Sequence, residues 1–145
     1  MSNGLQEAER LMEAGRAVWP AAAAGYVDEI LSEVTARKGA IYLAETAENP
    51  ATEPIGFVTC YHGYEDDRVV DESARNYLYV SDLYVTDAWR GLGVAGALLA
   101  AAEAHGRKLG LNQMRIGVLA ANQGARRAYA KAGFQEYEMM LRKSL

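Results

Sequence analysis

The stretch from residue 76 to residue 109 constrains the fold most, because it joins a long strand pattern to a long helix pattern through a short turn. Residues 76–85 are rich in Tyr, Val and Leu, which predicts a strand, and residues 92–109 repeat apolar side chains at helical spacing. Gly91 and Gly93 stand where the strand pattern gives way to the helix. A strand that leads directly into a helix is typical of mixed α/β architectures.

The remaining patterns place further elements on both sides of this junction. Helices are predicted at residues 5–19 and 24–37, strands at 40–45 and 55–61, a turn at 49–54, a polar loop at 63–75, a strand at 114–119, a helix at 123–132 and a last strand at 136–141. The first half has the order of antiparallel hairpins, whereas strand–helix–strand in the second half implies a parallel pair with a right-handed crossover. The sequence therefore predicts an α/β (α+β) fold in one domain over residues 1–145, with a mixed, mostly antiparallel sheet and helices on both faces.

Composition excludes several classes of function. The 145 residues carry a net charge of −4, so the sequence lacks the basic face that nucleic-acid binding needs. One cysteine, Cys60, cannot form an intramolecular disulfide, and two histidines are too few for a structural zinc site. No apolar run approaches the ~20 residues of a membrane span, and no secretory signal is evident, which predicts a cytoplasmic protein without a bound metal.

The turn between residues 84 and 95 has the features of an anion site. At such a junction several backbone N–H groups lack helical partners, and the helix dipole favours a negative group such as a diphosphate. Gly91 and Gly93 leave room for close approach, and Arg90 can add a charged contact. The alternative is that these glycines only form a tight turn. The spacing is not that of a dinucleotide-binding loop, and the Lys-Ser/Thr of a P-loop is absent.

Two motifs resemble those of the GNAT superfamily of N-acetyltransferases. The first is Arg-x-x-Gly-x-Ala at residues 90–95, which is similar to the coenzyme A pyrophosphate loop, and it follows a strand end that reads Asp-Leu-Tyr-Val at residues 82–85. The second is Asn-x-x-Ala-x-x-x-Tyr-x-x-x-Gly-Phe at residues 122–134. The resemblance covers residues 41–142. Members of the family usually begin with a short strand, and residues 1–4 do not have a strand pattern, so that strand is predicted to be missing or replaced. The uncovered edge near residues 40–45 makes a homodimer possible.

The resemblance implies an enzyme that transfers acetyl from acetyl-coenzyme A to a primary amine of a small molecule or peptide, by direct attack in a ternary complex. It implies that the strand end and the loop hold the cofactor, with Asn122 on the other side of the pantetheine arm. The predicted cofactor contacts are Leu83, Tyr84, Val85, Arg90, Gly91, Leu92, Gly93, Val94, Ala95, Asn122 and Arg126. Asn122 is equally well explained as a helix N-cap. Arg126, with Arg127 and Lys131, can meet the ribose phosphate or serve as solubilising charge.

Two residues are candidates for proton transfer. The resemblance makes Tyr129 the general acid for the departing thiolate; the alternative is a tyrosine that packs its helix on the sheet. Asp82 is the candidate base, because a carboxylate in an apolar strand is costly unless it is solvated or paired; its alternative role is a structural acceptor in a strand distortion. His62 is a second candidate base. Cys60 as an acetylated nucleophile is disfavoured, since it has no partner at motif spacing.

The acceptor is predicted from charge. Residues 65–72 hold five acids and one arginine, with tyrosines nearby, which suits a cationic amine, although a solvated loop is the common explanation for such a run. The candidate acceptor residues are His62, Tyr64, Glu65, Asp66, Asp67 and Tyr79. Two other classes stay open: a non-catalytic acyl-coenzyme A sensor or interaction module, and a flavodoxin-like or dinucleotide-binding domain, which the antiparallel first half opposes.

Overall fold

A four-stranded sheet forms the centre of the computed structural model, which describes residues 23–46 and 54–145. Its strands are β1 (Ala40–Ala44), β2 (Gly56–Tyr64), β3 (Asn76–Val85) and β4 (Met114–Ile116), in the order β1-β2-β3-β4. The first two pairings are antiparallel, and β3 pairs with β4 in parallel. The predicted mixed sheet with one parallel pair is therefore confirmed.

Three helices accompany the sheet in the described part of the chain: α1 (Ala23–Ala36), α2 (Val94–Lys108) and α3 (Gln123–Lys131). Two short 3₁₀ turns, Glu72–Ala74 and Asp87–Trp89, precede β3 and α2. Gly110 has a φ of +79° just after α2, a conformation that glycine adopts without strain, so it ends the helix as the sequence predicts. The three helices lie within two residues of their predicted bounds.

The helices α1 and α2 cover opposite faces of the sheet. Phe57 and Thr59 of β2 line a cavity together with α1 side chains. Val58 and Cys60, which alternate with them, are fully buried in a core cluster that includes Leu98 of α2. Because successive strand residues point to opposite faces, the two helices lie on the two sides of the sheet, as predicted.

Close packing fixes α2 against the sheet. Leu78 and Val58 are fully buried, and burial of one such side chain contributes roughly 1.5–3 kcal/mol. Gly56 begins β2 beneath the helix, where an added Cβ would lie 2.8 Å from the Tyr84 carbonyl oxygen and 3.2 Å from Leu98 Cδ1. Glycine is thus the residue that lets α2 approach the strand this closely.

Several boundaries differ from the prediction. The strand predicted at 136–141 is wrong: residues 135–145 have no regular secondary structure and are exposed. Apolar alternation is present there, but a strand also needs a backbone partner, which no described segment supplies. The strand predicted at 114–119 ends at Ile116, and β2 continues to Tyr64. The helix predicted at 5–19, most of the turn at 49–54 and the absent first strand lie outside the described residues.

Candidate active site

The N-terminus of α2 is open. Gly91 and Gly93 have φ values of +76° and +88°, which lead the chain from the 3₁₀ turn into the helix. The first amide bonded within this helix is that of Ala97, which donates to the Gly93 carbonyl at 3.1 Å. Among the residues that the structure describes, the backbone N–H groups of Val94, Ala95 and Gly96 therefore have no acceptor, as expected for an uncapped first turn.

The surface over these amides is unobstructed. Gly91 and Gly93 are exposed, and a Cβ built on Gly91, Gly93 or Gly96 would meet no heavy atom within 4 Å. Unpaired amides, a helix dipole and open glycines are together the chemistry that a diphosphate requires. The predicted loop residues thus fit the diphosphate of coenzyme A.

Arg90 is held as part of the turn. Its Nε donates to the Val85 carbonyl at 2.9 Å, and its guanidinium lies 2.8 Å from the Asp87 carboxylate. The guanidinium carbon is 5.6 Å from the centre of the Tyr84 ring. These contacts tie the end of β3 to the loop, so the first effect of Arg90 is to fix the direction in which the chain enters α2.

A gap separates β3 from β4 beyond a short ladder. The parallel pairing covers only Leu78–Val80 of β3 and stops at Ile116 of β4. Thr86 donates its N–H toward β2, to the Ile55 carbonyl at 2.8 Å. Because backbone groups alternate along a strand, those of Leu83 and Val85 point the other way, into the gap. This leaves an extended backbone edge that begins at the α2 N-terminus.

A β-bulge turns Asp82 away from the core. Thr59 pairs with Asp82 and the next residue, Cys60, pairs with Val80, so Ser81 is an extra residue in β3. Without the bulge, Asp82 would share the face of Val80 and project into the α2 core. The bulge reverses the alternation and places the carboxylate on the α1 face, and bulges of this kind often re-aim side chains beside active sites.

Asp82 lies in a small polar cluster at the base of an apolar cavity. The residue is only 5% exposed, and Oδ2 accepts hydrogen bonds from Thr59 Oγ1 at 2.7 Å and Ser81 Oγ at 3.0 Å. The cavity has a volume of about 160 Å³. Its described lining is otherwise Tyr26, Val27, Ile30, Leu31, Ile41 and Phe57. A carboxylate at the base of an apolar cavity can receive a proton or a cation there.

Sequence analysis did not identify Thr59 and Ser81 as site residues. The available signal was polar residues within two apolar strands, at positions that antiparallel pairing can bring together. Only the observed register between β2 and β3 shows that Thr59 and Ser81 lie together, because the bulge that brings them into contact depends on both strands.

The side chain of Asn122 caps the start of α3. Asn122 Oδ1 accepts from the Ala125 N–H at 3.1 Å, which confirms the N-cap interpretation. Its carboxamide nitrogen carries two further donors that this cap does not use.

The ring of Tyr129, which is half-buried, lies 6.0 Å from that of Phe134. Arg126 is held by Glu136 at 3.0 Å and by the Ala120 carbonyl at 3.3 Å.

His62 and Tyr64 lie away from Asp82. They alternate with Thr59 and so continue the opposite face of β2, where they line a cleft of about 390 Å³ together with Ala36, Arg37 and Lys38. His62 Nε2 is 2.8 Å from Asn76 Oδ1. The structure thus separates the two candidate bases, His62 and Asp82, onto different faces of the sheet.

The acidic loop, residues 65–72, is held against β4 by an ion pair. Arg115, which is 16% exposed, lies 2.6 Å from Glu65 and donates to the Ala74 carbonyl at 3.1 Å. Its guanidinium carbon stacks 4.1 Å from the Tyr77 ring. Asp67 accepts from the Val69 N–H within the loop. The charge of Glu65 is therefore neutralised by Arg115 within the protein.

Asp66 remains exposed, and Tyr79 packs edge-on against Tyr61 with ring centres 5.5 Å apart.

Cys60 is a core residue. It is fully buried, its Sγ lies 3.8 Å from the Ala40 carbonyl, and burial raises the pKa of its thiol. A raised thiol pKa disfavours the reactive thiolate, which agrees with the low weight that the sequence gives to a covalent acetyl-enzyme. Within the described residues, no cluster of three metal-binding side chains occurs, and no helix has the length and apolarity to cross a membrane.

Comparison with known proteins assigns the family. Residues 6–134 match the sequence model of the Acetyltransferase (GNAT) family. The chain belongs to the GNAT family. This confirms the resemblance seen in the loop at residues 90–95 and the segment at residues 122–134, and it agrees with the observed mixed sheet.

Individual GNAT relatives match parts of the chain. The N-acetyltransferase YycN of Bacillus subtilis is 32% identical over 51% of this chain and 47% of its own. The acetyltransferase Atu2258 of Agrobacterium fabrum is 42% identical over 46% of this chain and 47% of its own. The match thus spans about half the length of each curated relative.

A solved structure matches the fold over nearly the whole chain. The structure of AAC(6')-Iy in complex with the bisubstrate analogue CoA-S-monomethyl-acetylneamine superposes with a TM-score of 0.67, covering 94% of this chain and 86% of that one. The two sequences are 20% identical, so the likeness concerns the fold.

Proposed function

We propose that this GNAT chain transfers the acetyl group of acetyl-coenzyme A to a primary amine of a small molecule or peptide, by direct attack in a ternary complex. The observation that carries the proposal is the open N-terminus of α2, which continues into the unpaired gap between β3 and β4. A structural neighbour bound to an analogue that joins coenzyme A to an amine supports the same class of reaction.

The loop and the gap would hold the donor substrate. The N–H groups of Val94, Ala95 and Gly96 would donate to the diphosphate, and the glycines would allow its close approach. The backbone edge of Leu83 and Val85 would bind the pantetheine arm, with the carboxamide of Asn122 on the other side. Since Arg90 already occupies the Val85 carbonyl, the N–H of Val85 is the donor that remains for the arm. Acetyl-coenzyme A supplies an activated thioester.

Two side chains would move the protons. Asp82, positioned by Thr59 and Ser81, would accept the proton that the amine loses as its nitrogen bonds to the acetyl carbon. As the carbon–sulfur bond breaks, the Tyr129 hydroxyl would donate its proton to the departing thiolate. A positioned acid or base of this kind contributes about 10²–10⁴-fold to a rate.

The cavity above Asp82 favours an amine with an apolar neighbour. Its described walls are largely aliphatic and aromatic, and its base carries the carboxylate. A cationic amine gains charge pairing with Asp82, and an adjoining hydrocarbon gains burial. Asp66 and Asp67 in the acidic loop would add steering by charge. Glu65 contributes less, because Arg115 already pairs with it.

The first test is release of free thiol from acetyl-coenzyme A in the presence of polyamines, aminoglycosides, amino acids and peptides. We expect turnover with at least one amine class. Asp82→Asn should then lower kcat about 100-fold or more, while Asp28→Asn, at an exposed position of α1, should leave it unchanged. Full activity in Asp82→Asn would remove the proposed base.

The second test separates catalysis from mere binding. Tyr129→Phe should lower kcat by 10-fold or more, with coenzyme A affinity retained by calorimetry, at roughly the lower end of acid–base effects. Tyr42→Phe, which alters a half-buried tyrosine packed on His105, is the matched control. Binding of coenzyme A without thiol release for any amine would instead support an acyl-coenzyme A sensor.

A further inference from the structure

Lys38 has the backbone conformation of a glycine. Its φ is +54°, and it is the only residue other than glycine with a positive φ in the described part of the chain. It follows the end of α1, where the N–H of Gly39 donates to the Val34 carbonyl at 2.8 Å. This bond closes a Schellman motif, in which the left-handed position is usually occupied by glycine. A lysine there is strained, and residues with strained backbones cluster at functional sites.

The backbone around Lys38 is held by two other elements. The carbonyl of Arg37 accepts a hydrogen bond from the His62 N–H of β2 at 2.9 Å. The carbonyl of Lys38 accepts one from His105 Nε2 of α2 at 2.8 Å. The carbonyl groups at a helix end carry partial negative charge and repel anions. Because these two are already hydrogen-bonded within the protein, they oppose an anion beside Lys38 less than open carbonyls would.

Lys38 lines the cleft of about 390 Å³ that also contains His62. A volume of this size lies within the range of roughly 300–1,000 Å³ that is typical of small-molecule sites. The imidazole of His62 is oriented by Asn76, whose Oδ1 lies 2.8 Å from Nε2. The side chain of Tyr64 is 53% exposed, so its hydroxyl is accessible to a ligand. The remaining walls of the cleft are Ala36 and Arg37.

One cation of the cleft has no partner among the described residues. The Nε of Arg37 lies 2.6 Å from Oε2 of Glu33, so the charge of Arg37 is balanced within α1 and the turn that follows it. No such carboxylate pairs with the ammonium group of Lys38 in the described ranges. A single ammonium beside a phenol hydroxyl and an imidazole matches a ligand group that has one negative charge and accepts hydrogen bonds. A carboxylate has both properties.

We propose that this cleft binds a small organic carboxylate, which pairs with the Lys38 ammonium and contacts Tyr64 and His62. The cleft lies far from the proposed acetyl-transfer site. His62 pairs with Leu78, and Val85, where β3 leads toward α2, is roughly 23 Å further along that strand at about 3.3 Å per residue. The carboxylate is therefore a ligand distinct from the acetyl donor and the acceptor amine, and its binding does not require the proposed activity.

An NMR titration of the ¹⁵N-labelled chain with benzoate tests the site. Benzamide is the matched probe, because it has nearly the same shape and no charge. The amide signals of Lys38, His62 and Tyr64 should shift with benzoate at about millimolar concentration, as expected for so small a ligand. Benzamide should bind at least tenfold more weakly. Inorganic phosphate should bind no more tightly than benzoate, and saturation of these signals by phosphate alone would overturn the assignment to a carboxylate.

Lys38→Gly separates ligand binding from a structural role of this lysine. Glycine removes the ammonium group and also relieves the positive φ, so the melting temperature should stay the same or rise while benzoate affinity falls at least tenfold. Lys38→Gln keeps most of the side-chain length and should lose the same affinity. Lys143→Gln, at an exposed position outside the cleft, is the control and should bind benzoate normally.

The alternative is that Lys38 only stabilises the end of α1 through the helix dipole. In that case Lys38→Gly would lower the melting temperature and would leave the benzoate titration unchanged. The proposal also fails if benzoate shifts none of the three amide signals, or if benzamide binds as tightly as benzoate. None of these measurements uses acetyl transfer, so a chain that acetylates no amine would still give a clear result for the cleft.

Discussion

The two helices beside the gap between β3 and β4 are held in opposite ways. Helix α2 buries Leu98, Leu99, Ala102 and Gly106, and its first turn has no side-chain cap. Helix α3 has no buried residue, although its sequence is strongly amphipathic, and Asn122 caps its first turn. Packing stabilises one helix and local hydrogen bonding starts the other.

This difference explains which helix can serve as a ligand site. Most helix stability in proteins comes from packing of an apolar face, so α2 can leave its first amides open at small cost. In helix α3 the N–H groups of Ala125 and Arg126 already donate to Asn122, and that of Gln123 donates to the Ala121 carbonyl, so most of its first amides are bonded within the chain. The open end of a well-packed helix is where an anion can bind without loss of the fold.

The largest expected effect concerns the packing of α2. Leu98→Ala should lower the free energy of unfolding by about 2–5 kcal/mol, because the 3% exposed side chain leaves a cavity between α2 and β2. Chemical denaturation measures the loss. Val69→Ala, at a 92% exposed position, should change stability by less than about 0.5 kcal/mol. A Leu98→Ala protein as stable as the wild type would refute packing as the support of α2.

The next effect comes from giving α2 the cap that α3 has. Gly93→Asn should lower coenzyme A affinity about 100-fold, because the new side chain occupies amides that the diphosphate needs. Asparagine tolerates the positive φ at this position better than most residues. Gly110→Asn, at a similar φ after α2, controls for backbone strain. Unchanged calorimetric affinity in Gly93→Asn would show that the open amides are not used.

A smaller effect is expected at the cap of α3. Asn122→Ala should cost about 1 kcal/mol of stability through loss of the cap, and about fivefold in coenzyme A affinity through loss of one hydrogen bond. Asn122→Ser separates the two roles, since serine caps equally well and lacks the amide donors. We expect near-normal stability with reduced affinity. Normal affinity in Asn122→Ser would leave the cap as the whole role of this residue.

The smallest expected effect is a dependence of the free energy of unfolding on pH, which arises from the buried thiol of Cys60 in the core. Burial raises the pKa of the Cys60 thiol, so the unfolded chain loses this proton first as pH rises. Stability is therefore full below the ordinary thiol pKa and falls above it, by less than about 1 kcal/mol at pH 9. Burial, and next the proximity of Tyr79, also raises the pKa of Tyr61, which extends the decline to higher pH. Denaturation of Cys60→Ala should show a shallower decline between pH 8 and pH 9, and an equally steep one would contradict the assignment.

The sequence predicted the features that depend on interactions between residues close together in the chain. The strand that became Asn76–Val85 and the helix that became Val94–Lys108 follow from side-chain periodicity, and Gly110 ended the helix as expected. The open turn at Gly91 and Gly93 was also predictable, because positive φ and close approach both favour glycine. The match of residues 6–134 to the GNAT family model then confirmed the family.

Features that depend on two strands at once were not predictable. The bulge at Ser81 arises from the pairing of β2 with β3, and it alone decides that Asp82 meets Thr59 and not the α2 core. The pair of Arg115 with Glu65 joins residues far apart in sequence. The strand predicted at residues 136–141 failed for a related reason, because alternation specifies a face and does not supply a partner.

The most direct measurement is an amide-detected NMR titration of the ¹⁵N-labelled chain with coenzyme A and, separately, with pantetheine, which lacks the diphosphate. The amides of Val94, Ala95 and Gly96 should shift with coenzyme A and stay unchanged with pantetheine, whereas Leu83 and Val85 should respond to both. If the amides of residues 94–96 are unmoved when coenzyme A binds, or if coenzyme A does not bind, the open end of α2 is not a diphosphate site.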